Sequence, residues 1–557
     1  MDYTVLVGGA AGQGIDTVVH LLERTIKRSG YYVFTYKNFM SMVRGGHNFM
    51  QVRFSDKPLS TFTTKVDMIF ALNEETINLH REKLKPGGAV ILDNEIAKAE
   101  EYNHLPLVEI ANQLKNQKVY PTVGFGALVN YFGLSLEIAN EVIDDILGEK
   151  ISSVNKEAML KGYEMLERKY EMPKREDNKI LINGNQALAM GAIAAGCKYY
   201  CGYPMTPSSS VMTFLSSKSN EMGIMVDQIE DEVGALNMAL GASYAGVRAM
   251  TGSSGGGFAL MVEALSLAGI IETPIVVFNA QRPGSATGLS TRTEQADLRF
   301  MIHAGHGEFP RMVIALRSPD DAFYQTARAF NLAEKYQIPV ILMTEEYLTD
   351  YTTTSEPFDF SKITIDRYIA GKDDIPDERY KRYKFTENGV SPRLIPGKVH
   401  DQTVLVDSHE HNEYGNIDEN QVNRVKMVDK RMKKLEGLTE EILEPWNIGS
   451  ENPENLIVCW GATYGAVKEV VERLNEEGIS IGALIYGDIW PFPIKKINEL
   501  GVNAKKIIDI EQNATGQLES IINEKTDIKC THRILKYDGR PLNADEIVER
   551  LKESILI

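Results

Sequence analysis

The sequence predicts an α/β protein built from several doubly wound parallel-sheet domains, and three observations predict it. Short apolar β-type runs (YTVLVGG, VDMIFAL, GAVILDN) alternate with helix-like segments such as IDTVVHLLERTIKRSG across residues 1–170. The alternation resumes at KILING and continues through PIVVFNA and IPVILMTEE to residue 351. It returns a third time in NLIVCWGATYGAV, IGALIYGDIW and AKKIIDIEQNATGQ. At 557 residues the chain is also too long for a single hydrophobic core.

The domain order follows from these runs. Residues 1–170 form a first α/β domain, and the polar stretch 171–179 (EMPKREDNK) reads as a linker. Residues 180–351 form a second α/β domain. Across 352–453 the hydrophobic periodicity fades into Pro, Gly, Asp, Lys and Tyr (KDDIPDERYKRYKFTENGVSPRLIPGK), so few buried strands are expected there. That stretch reads as an ordered covering arm or lid, with a disordered linker as the alternative. Residues 454–557 make a third, smaller unit.

Composition narrows the function classes. Hydrophobic residues are 43% and charged residues 25%, ordinary globular usage, and no apolar run is long enough to span a bilayer. The opening MDYTVLVGGAAGQG reads as a strand entering a glycine turn and not as a signal peptide, so a cytoplasmic location is expected. A net charge of -17 without a Lys/Arg-rich stripe argues against a nucleic-acid partner. The four cysteines, Cys197, Cys201, Cys459 and Cys530, are too scattered for a disulfide framework. The one close pair, C-x3-C, lacks the spacing of a four-thiolate cluster, so core or turn positions are the better reading and no metal site is expected on this chain.

Five segments carry candidate chemistry. VLVGGAAGQGID, with Gly12, Gln13 and Gly14, is a glycine turn feeding a helix N-terminus, which can offer N–H groups to an anion or serve only as a tight turn. Its G-x-x-G-x-G spacing departs from the dinucleotide fingerprint. Arg44 precedes two glycines in VRGG, as a ligand contact or as a solvated loop residue. In Tyr203-Pro204-Met205-Thr206-Pro207 two prolines restrict the backbone around Thr206, and the serines that follow suit a helix N-cap. That puts the Thr206 hydroxyl where a substrate carboxylate or keto oxygen could be bound. Glu230, Asp231 and Glu232 open a helix; the macrodipole accounts for Asp231 and Glu232, while one carboxylate could serve a cofactor. Arg282 and Arg292 lie in the loop after the apolar strand PIVVFNA, at the carboxyl end where α/β sheets build their sites.

Taken in this order, the motifs resemble the 2-oxoacid:ferredoxin oxidoreductases, specifically chains with a γ domain fused ahead of the α domain. VGGAAGQG and VRGG resemble the Rossmann-like γ domain. NQALAMGAIAAGCKYYCGYPMTPSSS, QIEDEVGALNMALGASYAG and QRPGSATGLSTRTEQADL resemble the thiamine-diphosphate pyrimidine-side domain. SPRLIPG, EHNEYG and KRMKKLEG resemble the family's intervening arm, and CWGATYGAV, EQNATGQL and DGRPLNADEI its transketolase C-terminal-like domain.

The resemblance implies that Thr206 and Arg282 bind the 2-oxoacid, with Arg292 in reserve. It also implies that Glu230 contacts the cofactor's pyrimidine beside Tyr203 and Pro204, and that Gly12, Gln13, Gly14 and Arg44 help hold coenzyme A. Met205 stands where the family usually has isoleucine, and GSSGGGF where relatives carry a Ser-Gly-Pro-Gly loop. The diphosphate-Mg²⁺ segment and the cluster cysteines are missing; Gly487-Asp488-Ile489 is the nearest approach to the former. Mg²⁺ and a [4Fe–4S] cluster are therefore expected on a separate β subunit, in a heterodimer or (αβ)₂ assembly that reduces ferredoxin. The substrate expected is 2-oxoglutarate, with pyruvate or a branched-chain 2-oxoacid as the alternative. A non-catalytic scaffold subunit is the competing class. A nucleotide-binding dehydrogenase would leave Thr206, Glu230 and Arg282 unexplained.

Overall fold

The computed structural model describes residues 1–41, 45–96, 100–375 and 379–554. The chain forms two compact units. The first comprises Met1–Asn183 with Asp350–Pro357 and Asn543–Glu549; the second comprises Gly184–Thr349, Phe358–Leu542 and the end of the chain.

In the first unit the strand Asp2–Ala11 buries Val5, Leu6 and Val7 completely at the centre of an eight-stranded sheet. The glycine turn then sets Gly14 in a left-handed conformation as the start of the helix Ile15–Arg28. That helix packs Val18, Val19, Leu22 and Ile26 into the core and closes on Lys27 and Arg28, cations suited to a helix C-terminus.

The fold class is α/β, as expected, and the first unit's sheet mixes parallel and antiparallel pairs. Asp2–Ala11 runs parallel to Val66–Ala71 and antiparallel to Gly45–Ser55, which in turn pairs antiparallel with Tyr32–Asn38. Only residues 39–44 separate those last two strands in sequence, too few for the crossover that parallel pairing requires. The sheet also continues past the expected linker. Thr352–Ser355 pairs antiparallel with Tyr32–Asn38 on one side and with Ile180–Asn183 on the other.

The second unit holds two sheets. A seven-stranded sheet runs Asp488–Trp490, Met312–Ala315, Pro339–Glu345, Ile275–Gln281, Ala249–Ser253, Tyr199–Gly202, Met225–Gln228, and is parallel except for its first edge strand. A five-stranded sheet runs Trp446–Gly449, Ile481–Tyr486, Asn455–Trp460, Lys506–Glu511, His532–Leu535, again parallel apart from its first strand. Strands 275–281 and 339–345 are buried along their whole length, as a sheet covered on both faces requires.

Within the arm, the long helix Gln421–Glu440 was not foreseen. Its inward face is Met427, Lys430, Arg431, Lys434 and Leu438, a helical repeat of mostly basic residues. These basic residues meet two carboxylates. The wholly buried Glu272 accepts from Lys430 Nζ at 2.7 and 2.8 Å and pairs with Lys434 at 2.5 Å, while Arg431 forks onto Glu410 at 2.9 and 2.7 Å. Asp488, the nearest approach to a diphosphate-Mg²⁺ motif, is likewise committed. It takes a bidentate Arg328 at 2.7 and 2.8 Å and the Leu443 N–H at 2.7 Å. Cys197 and Cys201 are buried, donate to backbone carbonyls of Tyr199 and Ala235, and burial pushes both thiols up to about 12. Among the described residues, no helix is long and apolar enough to cross a membrane.

Candidate active site

Three segments of the second unit end at the carboxyl side of neighbouring parallel strands. The strand Tyr199–Gly202 releases the chain into Tyr203-Pro204-Met205-Thr206. Ser208 does not cap the following helix as expected. Its hydroxyl and its N–H both bond back to the Met205 carbonyl, at 2.7 and 2.8 Å, closing a tight turn instead. Buried Asn185 braces that turn by donating to the Pro207 carbonyl at 2.8 Å. The turn leaves Thr206, Tyr203 and Pro204 exposed. Arg282, the first residue after the strand Ile275–Gln281, donates from Nη1 to the Thr206 carbonyl at 2.7 Å. The two residues expected to share a 2-oxoacid are thus in direct contact. The guanidinium is partly buried, which lowers its pKa, and its remaining donors are available to an anion.

The three carboxylates at 230–232 separate sharply. Glu230 is exposed on the bend before the helix Glu232–Tyr244. Asp231 is the N-cap, accepting the Gly234 N–H at 2.7 Å. Glu232 is only 3% exposed, and the Ser253 hydroxyl donates to its Oε1 at 3.2 Å. Sequence reasoning assigned Glu232 to the macrodipole and missed its burial. A signal was present: Glu232 falls on the stripe formed by Ala235, Leu236, Ala239, Leu240 and Ser243, the buried face of its helix.

The GSSGGGF segment makes room for this carboxylate. A Cβ at Gly257 would lie 2.2 Å from both Glu232 Oε1 and Ser253 Oγ, and one at Gly255 would lie 2.6 Å from Asp297 Oδ2. Gly256 faces nearly open space, and the buried Ser254 hydroxyl has no hydrogen-bond partner at the start of the helix Gly255–Ile270. A buried carboxylate beside a small-residue helix start with an unsatisfied hydroxyl suits a planar aminopyrimidine.

The loop 282–297 closes this side of the site. Asp297 accepts from Asn279 Nδ2 at 2.9 Å, and burial raises its pKa; burial, then Asp297, raise that of Glu294. Arg292 is half-buried against Gly539, where a Cβ would lie 3.2 Å from its own, and its Nη1 donates to the Thr291 carbonyl at 3.3 Å. Behind the loop lies Glu345, wholly buried, accepting the Ala462 N–H at 3.2 Å and the Gln295 amide at 3.1 Å. Burial pushes its carboxyl from 4.5 to about 8. The folded state therefore holds a proton there that the unfolded chain releases, and stability declines as pH rises from about 4.5 to 8. Glu345→Gln, which is neutral throughout, is expected to melt higher than wild type at pH 8 by up to about 4 kcal/mol, converging near pH 5, in denaturation scans across that range.

In the first unit Gln13 is a structural pin. Its Oε1 accepts the Ala10 N–H at 2.6 Å and its Nε2 donates to the Leu72 carbonyl at 3.2 Å. Gly14 is covered by Pro121, whereas Gly12 faces open space. The turn borders a cleft of about 340 Å³ lined by Gly12, Asp16, Lys37, Asn38 and Asn48 among others. The amides at the start of the helix Ile15–Arg28 lack a side-chain cap there. Arg44 lies outside the described residues.

Comparison with known proteins adds to this geometry. Residues 4–165 match the family model described as pyruvate ferredoxin/flavodoxin oxidoreductase, residues 190–430 its thiamine-diphosphate-binding segment, and residues 453–547 pyruvate:ferredoxin oxidoreductase core domain II. The 2-oxoacid:ferredoxin oxidoreductase subunit alpha of Sulfolobus sp is 33% identical over 99% of this chain and 96% of its own length. The 2-oxoglutarate synthase subunit KorA of Methanocaldococcus jannaschii is 32% identical, with 98% of its length matched by 66% of this chain. A solved structure of 2-oxoglutarate:ferredoxin oxidoreductase from Magnetococcus marinus, with 2-oxoglutarate, coenzyme A and succinyl-CoA bound, superposes with a TM-score of 0.92 over 99% of both chains at 32% identity. With full-length relatives above 30% identity and three family models matched in chain order, this chain belongs to the 2-oxoacid:ferredoxin oxidoreductase family as an alpha subunit.

Proposed function

We propose that the chain is the fused γα part of a cytoplasmic enzyme that decarboxylates 2-oxoglutarate oxidatively, forming acyl-CoA and CO₂ and reducing ferredoxin. The observation that carries this reading is the Arg282–Thr206 contact, set in the same unit as the buried Glu232. The 2-oxoglutarate and succinyl-CoA bound in the Magnetococcus marinus structure favour 2-oxoglutarate over pyruvate or a branched-chain acid.

Bound thiamine diphosphate supplies the carbanion chemistry that cleaves a 2-oxoacid. The chain's own groups bind and orient. The Arg282 guanidinium offers planar donors to the substrate carboxylate beside the exposed Thr206, with Arg292 in reserve. A carboxylate from 230–232 fixes the aminopyrimidine as a proton relay. The expectation named Glu230; its exposure and the burial of its neighbour move our assignment to Glu232, since a carboxylate shielded from water holds one tautomer more firmly. Gly12 and the free amides at the start of helix Ile15–Arg28, with Lys37, are assigned to the phosphates of coenzyme A; Gln13 and Gly14 shape that turn. With Asp488 bound to Arg328, the diphosphate-Mg²⁺ site and the [4Fe–4S] cluster are assigned to a β subunit, in a heterodimer or (αβ)₂ assembly.

The test is anaerobic viologen reduction by the chain co-expressed with its β partner, supplied with coenzyme A and 2-oxoglutarate, pyruvate or 2-oxobutyrate. Turnover is expected to be fastest on 2-oxoglutarate. Arg282→Lys is expected to lower kcat/KM by about 10- to 100-fold, the worth of a charge-assisted hydrogen bond to the substrate. A loaded complex inert to every 2-oxoacid would replace this reading with the scaffold alternative.

A further inference from the structure

The arginine-bearing loop is tied down at both of its ends and exposed at its tip. Residues 284–289 are exposed. At the near root, buried Gln281 accepts the Asp297 N–H at 3.0 Å and donates to the Thr344 carbonyl at 3.3 Å. At the far root sits Gln295, with no exposed surface. Its Nε2 donates to Glu345 Oε1 at 3.1 Å and to the Trp460 carbonyl at 3.0 Å. Its Oε1 accepts from the Thr463 hydroxyl at 3.0 Å and the Gln512 N–H at 3.1 Å. All four hydrogen-bonding positions of the amide are filled. Its backbone is tied as well: N–H to the Gln512 carbonyl at 2.7 Å, and carbonyl from Asn513 Nδ2 at 3.1 Å.

These partners come from three separate segments: the end of strand 339–345, the turn 460–463 and the turn 511–513. Gly461 makes the approach possible, since a Cβ there would lie 3.0 Å from Gln295 Nε2 and 3.3 Å from Glu345 Oε2. An apolar side chain would fill the same space but would strip a hydrogen bond from each of four buried partners, so the amide is there for direction as well as volume.

We propose that Gln295 is a positioning residue for the 2-oxoacid: by bolting the loop 282–297 to the turns 460–463 and 511–513, it holds Arg282 and Arg292 aligned for the substrate carboxylate. The proposal rests on the reading that Arg282 binds that carboxylate. Gln295 itself touches no substrate; it acts through the loop. Untying the far root lets the loop and the arginines it carries shift, and misplacement of about 1 Å at a binding group costs up to about 100-fold.

The test uses the full complex with its β partner and compares Gln295→Ala, Thr463→Val and Arg282→Lys. Gln295→Ala is expected to raise KM for the 2-oxoacid about ten-fold and Thr463→Val about three-fold, in line with one to several buried hydrogen bonds lost. In both, kcat stays within about two-fold, and KM for coenzyme A and bound thiamine diphosphate are unchanged, which general destabilisation would not spare. Unchanged 2-oxoacid KM in Gln295→Ala and Thr463→Val, while Arg282→Lys raises it, would overturn the positioning role alone. Unchanged KM in Arg282→Lys would overturn the reading beneath it, and the proposal with it. A parallel loss in kcat and in the KM for coenzyme A would also overturn the proposal. Should Gln295→Ala fail to assemble, Thr463→Val, which removes a single hydroxyl, decides.

Discussion

Glu232→Gln in the assembled enzyme is expected to lower 2-oxoacid turnover by about 10³-fold, within the range that a positioned acid–base group contributes. The substitution is isosteric. The Ser253 hydroxyl can still donate to the remaining Oε1, and Gly257 still leaves the space, so assembly and cofactor loading are expected to match wild type. What is lost is a negative charge that water cannot replace, because the position is closed to it. Glu230→Gln, at an exposed bend, is expected to stay within about ten-fold of wild type, since a solvated carboxylate exerts a screened field. Viologen reduction and bound thiamine diphosphate, measured on both variants, decide between the two. Collapse in Glu230→Gln with a mild Glu232→Gln would return the role to Glu230.

The largest stability effect is expected at Glu272. Its carboxylate is held well below the ordinary range by Lys430, Lys434 and Arg382 against the cost of complete burial. Glu272→Gln leaves those three cations without their shared counter-charge, a loss of about 3–5 kcal/mol by analogy with broken buried ion pairs. Urea unfolding followed by fluorescence measures it. Burial already brings Lys434 down to about 7, so folded Lys434 sheds its proton while the unfolded ammonium keeps its own up to about 10.5. Wild-type stability from this group therefore rises with pH above 7. The deficit of Glu272→Gln should be widest near pH 6 and narrow toward pH 9. An equal deficit at both would show that the cluster's charge is not what the variant disturbs.

How much of this was legible depended on which physical signal each element leaves in sequence. Arg282 was singled out because it follows the apolar run PIVVFNA, at the carboxyl end of a strand where α/β sheets place chemistry, and Thr206 because two prolines restrict the backbone around it. Glu232 was hidden among neighbouring carboxylates that the macrodipole explains equally well; only its place on the buried stripe distinguishes it. Helix 421–440 escaped because its inward face is basic, so helical periodicity exists without hydrophobic periodicity. Its partners Glu272 and Glu410 lie far away or in irregular chain, and no local pattern reveals that a lysine will be buried against them. Strand 352–355 is four polar residues, TTTS, which read as the beginning of the arm; hydrogen-bonding neighbours decided its state. Gln295 was passed over inside TRTEQADL because arginines attract notice and amides do not.

Dividing this chain at residues 171–179 would split its first sheet between the two pieces. Six strands would remain on the leading piece, while Ile180–Asn183 and Thr352–Ser355 would travel with the trailing piece and leave Tyr32–Asn38 as a bare edge. An unpaired edge of that kind invites a strand from another polypeptide. Two polypeptides split at this seam would have in this edge a place to re-associate by strand donation, through the backbone hydrogen bonds that Thr352–Ser355 makes to Tyr32–Asn38.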